Sequence, residues 1–129
     1  MGKRFLIDTN IAIYFLDGNL TPAGIVFLQP LINQEINISV ITKIELLGWS
    51  FPNPFKSEIH KDFVSQSNIF PLSDEVVEKT IELRRTYKIK LPDAIIAATA
   101  LVFDCTLLSR NDKDFVQIPE LKYINLFMV

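Results

Sequence analysis

The stretch Pro92–Phe103, PDAIIAATALVF, constrains this chain more than any other. Its spacing predicts a helix that is apolar nearly all round rather than along one stripe, so the helix is buried. Asp93 opens it and is the only charged residue between Lys90 and Asp104. The helix dipole favours a negative charge in a first turn, which is a structural reason for its presence. A carboxylate entering a buried helix must nevertheless be paired, hydrogen-bonded or placed on a metal, because desolvation otherwise neutralises it. No cation stands on the helix itself. Asp93 is therefore read as directed at a metal.

Around this helix, short apolar runs alternate with helical periods. Lys3–Ile7 reads as a strand, and Ile11–Leu16 as a short helix closed by Asp17-Gly18-Asn19. Thr21-Pro22 looks like a cap followed by a first-turn proline, starting a helix that runs to about Ile32 with a disturbance at Pro30. Glu35–Ser39 alternates like a strand, and Thr42–Gly48 reads as a helix. After a turn at Phe51-Pro52-Asn53-Pro54 come a helix over Phe55–Gln66 and a strand at Ile69-Phe70. Ser73–Tyr87 is a helix with Val76, Thr80, Leu83 and Tyr87 on one face, while Cys105–Leu108 and Tyr123–Phe127 read as further strands. The pattern predicts an α/β chain, a three-layer α/β/α sandwich with a mainly parallel central sheet. At 129 residues, a single domain over 1–129 is expected. Ligands of such sheets bind beyond the carboxyl ends of the strands.

That edge collects acids. Asp8 ends the first strand in FLIDTN, where capping the next helix and taking part in chemistry are equally open readings. Thr42-Lys43-Ile44-Glu45 fits a capping box, which is the favoured reading of Glu45 alone, although Glu45 would share the edge with Asp8. In SRNDKDF, Asp114 is pulled towards the site if Phe115 anchors the loop in the core, whereas Asp112 is expected to be exposed. Singly these are weak signals. Together they are three or four carboxylates, each just past a strand, and clustered carboxylates repel unless a hard cation compensates. Mg²⁺ or Mn²⁺ suits oxygen-only ligands and is at home on phosphates. Such an ion orients a water, lowers its pKa and stabilises the charge on an attacked phosphodiester. The implied chemistry is metal-assisted phosphodiester hydrolysis.

A net charge of −2 argues against a protein that holds nucleic acid by charge alone, but not against a nuclease whose acids are masked by metal. The basic run Arg84-Arg85-Thr86-Tyr87-Lys88-Ile89-Lys90 leads into Asp93; it is either a solvated helix end or a phosphate contact beside the site. Arg110 is another candidate for that contact. The lone Cys105, inside an apolar run, excludes an internal disulfide and reads as a buried small hydrophobe. His60, in EIHKDF, is expected to be exposed. No apolar run approaches the ~18 residues of a membrane span and no signal-peptide pattern is present, so a reducing cytoplasm is expected. Ile25-Val26-Phe27-Leu28 is too continuously apolar for one buried stripe, and Trp49, Phe51 and Phe55 cluster nearby. An ordinary core accounts for most of these, and a partner's helix would use the remainder.

DTN after the first strand, ITKIELL, LPDAIIAATA and LLSRNDKDF resemble, in order and over essentially the whole chain, the motifs of PIN-domain ribonucleases. The likeness is greatest to VapC-type toxins of toxin–antitoxin pairs. LPDAIIAATAL is specific, whereas DTN alone is weak. The resemblance implies a metal-dependent endoribonuclease, with Asp8 and Asp93 as principal metal-binding residues and Glu45 helping to hold metal and water. It makes Asn10 a positioning residue and puts Ser109 where threonine is usual, keeping the hydroxyl. At Asn111 this chain departs: some members carry an aspartate there, and others rely on the acid before the phenylalanine, here Asp114. An asparagine coordinates only weakly through its carbonyl, which puts a second metal in doubt. The resemblance further implies an RNA substrate, a homodimer and a cognate antitoxin whose tail blocks the acidic pocket, with an arginine able to reach the carboxylates bidentately. A non-cleaving RNA-binding PIN-like module is the alternative that Asn111 keeps open. A phosphatase with a strand-end nucleophile would want a second aspartate where Asn10 stands. A Mg²⁺-binding receiver-type domain would carry its phosphoacceptor on a middle strand, with a lysine late in the sheet, and that order is absent.

Overall fold

A computed structural model describes residues 3–129. The chain runs through β1 (Arg4–Ile7), α1 (Thr9–Leu16), α2 (Pro22–Gln34), β2 (Asn37–Ser39), α3 (Val40–Gly48) and α4 (Pro54–Ser65). It continues through β3 (Asn68–Phe70), α5 (Asp74–Thr86), α6 (Leu91–Val102), β4 (Cys105–Ser109), α7 (Asp112–Phe115) and β5 (Tyr123–Asn125).

The pleat of two strands explains the three layers. β1 and β4 pair in parallel, with Leu6 opposite Leu107 and Ile7 opposite Leu108. Successive side chains of a strand face opposite ways. Leu6 and Leu107 accordingly enter one core with Val76 and Leu83 of α5, Ala94–Ala98 of α6 and Phe115 of α7. Ile7 and Leu108 enter another, with Ile11 of α1, Leu28 of α2, Leu46 of α3 and Phe63 of α4. Helices thus cover both faces, and every strand pairing described is parallel.

Two ladders make up the sheet, β1-β4-β5 and β2-β3. β2 lies against β1, and a buried side chain splices the two ladders. The Asn37 amide donates to the Phe5 carbonyl at 3.0 Å and to Glu35 Oε1 at 3.1 Å. Its own Oδ1 accepts from Asn68 Nδ2 of β3 at 2.9 Å. A buried amide so fully used is a fixed spacer between strands.

Among the differences from expectation, the start of α3 and the extra helix α7 bear on the site. Ser39 caps α3 by accepting from the Ile41 N–H at 3.0 Å, so the helix begins before Thr42. The β-branched run Val40-Ile41-Thr42 hid that start, since such residues favour strands. SRNDKDF also holds the one-turn helix α7, capped by Asn111, where sequence periodicity has too few residues to register. Pro30 sits inside α2 without ending it. His60 is not exposed: it is 3% accessible, its Nδ1 lies 3.0 Å from the Leu46 carbonyl, and Phe51 packs edge-on against its ring. It shares the inward face of α4 with Phe63 and Val64, and the backbone hydrogen bond makes that burial tolerable. Cys105 is buried as expected, and burial pushes its thiol up to about 11.

Candidate active site

Asp8 follows directly on β1, and its N–H continues the ladder by donating to the Leu108 carbonyl at 3.0 Å. The backbone is therefore held at the carboxyl end of the sheet, and the side chain is 3% accessible. Its two oxygens have separate partners. Oδ1 caps α1 by accepting from the Thr9 N–H at 2.8 Å, and Oδ2 accepts from the Ser109 hydroxyl at 2.6 Å. Capping and membership of an acidic pocket are thus both true of this residue. Burial raises the Asp8 carboxyl to about 6; the two hydrogen bonds oppose that rise, and repulsion from Glu45 adds to it.

Glu45 reaches the pocket from the body of α3, not from a capping box. Ser39 has taken the cap, and Thr42 is buried with its hydroxyl 2.9 Å from the Thr9 hydroxyl. Thr9 Oγ1 lies 2.6 Å from Glu45 Oε1. A carboxylate only accepts, so the Thr9 proton goes to Glu45 and the Thr42 hydroxyl donates to Thr9. Thr9 thereby ties Asp8, through its backbone, to Glu45, through its side chain. Neither threonine emerged as a site residue from the sequence. The available signal was Thr42 standing three residues before Glu45, which puts both on one helix face.

Asp93 lies in the first turn of α6, whose leading residue Lys90 offers no side-chain cap. Its carboxyl is raised to about 6, first by burial and then by repulsion from Asp8, Asp114 and Glu45. Asp93 therefore feels the charge of the other three acids from the carboxyl end of the sheet. Asp114 arrives because Phe115 is fully buried and pins α7 to the core. Asn111 Nδ2 donates to Asp114 Oδ2 at 2.9 Å, and Asn111 Oδ1 accepts from the Asp114 N–H at 3.4 Å. The Asn111 amide is thus turned to its own helix and to Asp114. Asp112 is exposed as expected and is engaged by Tyr123 and Asn125. Asn10 binds the loop after β4: its Nδ2 donates to Ser109 Oγ and its Oδ1 accepts from the Arg110 N–H, each at 3.4 Å.

Among the described residues no salt bridge reaches any of the four pocket acids. Among these described residues no group of three or more acid, histidine or cysteine side chains is drawn close enough to form a ready-made cage. The donor set nevertheless fits a hard divalent cation. It is all oxygen, lacks a counter-charge, and Mg²⁺ keeps several waters while binding through one or two carboxylates. Arg84 and Arg85 lie exposed in the last turn of α5, and no hydrogen bond among the described residues joins them to the pocket. Arg110 projects from the rim, its guanidinium 4.1 Å from the Phe127 ring centre and 5.3 Å from that of Tyr14.

Comparison with known proteins identifies the family. The PIN domain family matches residues 5–121. Ribonuclease VapC19 of Mycobacterium tuberculosis is 34% identical, over 91% of this chain and 96% of its own length. The toxin-antitoxin complex from Klebsiella pneumoniae contains a chain 33% identical, with a TM-score of 0.73, covering 94% of this chain and 96% of that one. A chain of VapBC2 from Rickettsia felis, solved bound to a DNA fragment from its promoter, superposes with a TM-score of 0.80 at 26% identity, covering 94% and 97%. With the fold, the ordered motifs and these likenesses in agreement, this chain belongs to the PIN-domain family, in the branch that holds the VapC ribonucleases.

Proposed function

We propose that this protein is a divalent-metal-dependent endoribonuclease and the toxin of a toxin–antitoxin pair. The observation that supports the reading is that Asp93 feels the charges of Asp8, Glu45 and Asp114 at the carboxyl end of a parallel sheet, while no salt bridge among the described residues reaches any of the four. Asp8 and Asp93 are the residues to hold Mg²⁺ or Mn²⁺, with Glu45 and Asp114 completing the negative wall. When bound, such an ion activates a water and offsets the charge that builds on the attacked phosphate.

The chain's own residues prepare the pocket. Ser109 and the Thr9 N–H fix both oxygens of Asp8, so its carboxylate does not reorient when a cation arrives. Thr9 fixes Glu45 in the same way. Asn10 fastens the loop that carries Ser109, and Asn111 orients Asp114. Arg84 and Arg85 are solvent-facing cations at the end of α5, available to phosphates of the substrate.

An antitoxin is the partner proposed for the exposed apolar side chains, among them Val26, Trp49 and Phe55, and a homodimer is the proposed assembly. A cytoplasmic setting goes with both; no helix among the described residues is long and apolar enough to cross a membrane. The test is cleavage of pooled cellular RNA by wild type and by Asp93→Asn, with Mg²⁺ or with EDTA. Activity should fall by more than about 100-fold on either change, beyond the usual loss from altering a residue that only supports a metal ligand. Cleavage that survives both changes overturns the mechanism.

A further inference from the structure

Arg110 departs from the rest of the rim. It follows Ser109, the residue that donates to Asp8, and its N–H donates to Asn10. From there its side chain runs along α1 to Tyr14, where Nη1 donates to the phenol oxygen at 3.0 Å. Tyr14 and Phe127 pack edge to face, 4.9 Å between ring centres, and the guanidinium lies over both rings. Among the described residues no carboxylate pairs with it, and its chain neighbour Ser109 is the residue that donates to Asp8.

We propose that the Tyr14–Arg110–Phe127 cluster is a pre-organised phosphate clamp that holds the RNA chain at a phosphate flanking the one attacked. The inference rests on the RNA-cleaving reading and specifies how that substrate lies in the site. Stacking occupies the face of the guanidinium and leaves its N–H edge, the part that meets phosphate oxygens in the plane. Among the described residues only one of its five N–H donors is used, on Tyr14. The two rings and the Tyr14 hydroxyl hold the guanidinium in a fixed position. Asn10 and Tyr14 are one helical turn apart, ~5–6 Å along the axis. Successive phosphates lie further apart than the ~3.4 Å axial rise per nucleotide of a stacked strand, so an offset of one helical turn suits a phosphate adjoining the one attacked. In a chain of net charge −2, such a fixed cation gives the polyanion a defined register.

The test uses full-length protein carrying Asp93→Asn, Mg²⁺, and a fluorescent single-stranded RNA titrated across a salt series. Adding Arg110→Gln should weaken binding on the order of ten-fold, the usual scale for a charge-assisted hydrogen bond. It should also lower the slope of log affinity against log salt by about 0.7, one phosphate contact to a single strand. Arg110→Lys should restore the slope but not the full affinity, because lysine keeps the charge and loses the planar stack. A slope equal to the parent's, with or without a lowered Tm, reduces Arg110 to a latch on the carboxyl-terminal segment and overturns the clamp. If wild type cuts RNA while the slope stays fixed, the clamp alone fails. If wild type neither binds nor cuts RNA, the ribonuclease reading fails with it.

Discussion

Because Ser109 and the Thr9 N–H between them occupy both oxygens of Asp8, the serine hydroxyl is the adjustable part of that support. Ser109→Ala should lower activity by about 10–100-fold, the scale seen when a residue supporting a metal ligand is lost, and Ser109→Thr should recover most of it. Steady-state kinetics at several Mg²⁺ concentrations separate weakened metal affinity from a general loss. Burial and mutual repulsion leave Asp8 and Asp93 with carboxyls at about 6, above the 3.8 of an unhindered aspartate. The folded, metal-free protein thus binds more protons than the unfolded chain between those values, and its stability falls as pH rises from about 4 to about 6. Asp8, deeply buried, contributes up to about 3 kcal/mol to that loss. Asp93, half-exposed, contributes less after solvent screening. Thermal melts in EDTA should therefore show Tm declining across this window, and Asp93→Asn should flatten the decline. A Tm that climbs with pH through the window would contradict the electrostatic account.

At the scale of elements, α6 packs through alanines: Ala94, Ala97 and Ala98 are fully buried, and the helix meets α5 and β4 closely. Ala97→Leu should cost about 1–3 kcal/mol through overpacking, read as a shift in the denaturant midpoint. Asn37→Ala should be destabilising by about 1–3 kcal/mol, since it removes a buried amide and leaves the half-buried Phe5 carbonyl and the Asn68 amide without that partner. Equal midpoints for Asn37→Ala and wild type would show that the two ladders need no polar splice. Legibility follows the same physics. Elements with a long period or a marked stop, such as α5, α6 and the β1 run into Asp8, were readable before any coordinates. The start of α3 was not, because Val40-Ile41 reads as strand while Ser39 silently caps the helix. Neither was the burial of His60, because EIHKDF is polar by composition and only the fold turns that one side of α4 inward.

Taken as a whole molecule, the chain exposes large apolar side chains on several elements, among them α2, α3 and α4. Val26 of α2 is 75% accessible, while Trp49, just past α3, is 50% and Phe55 of α4 is 76% accessible. A partner that binds these surfaces should raise solubility, so the protein expressed alone should self-associate more than the co-expressed pair. Light scattering on both preparations checks this, and a monodisperse monomer without any partner would remove the support for an interface. The sequence by itself determined the alternation of strands and helices and the burial of Ala94–Ala100 within the Pro92–Phe103 stretch, because periodicity and local composition are properties of neighbouring residues. Only the tertiary structure decided how the acids of the site are held: Thr9 bridging Asp8 and Glu45, Ser109 reaching back to Asp8, and Asn111 turned to Asp114. It also laid Arg110 across Tyr14 and Phe127. The pairs Ser109–Asp8 and Thr9–Glu45 join residues far apart in the chain, and no local pattern encodes a contact that exists only once the parallel sheet has set strand beside strand.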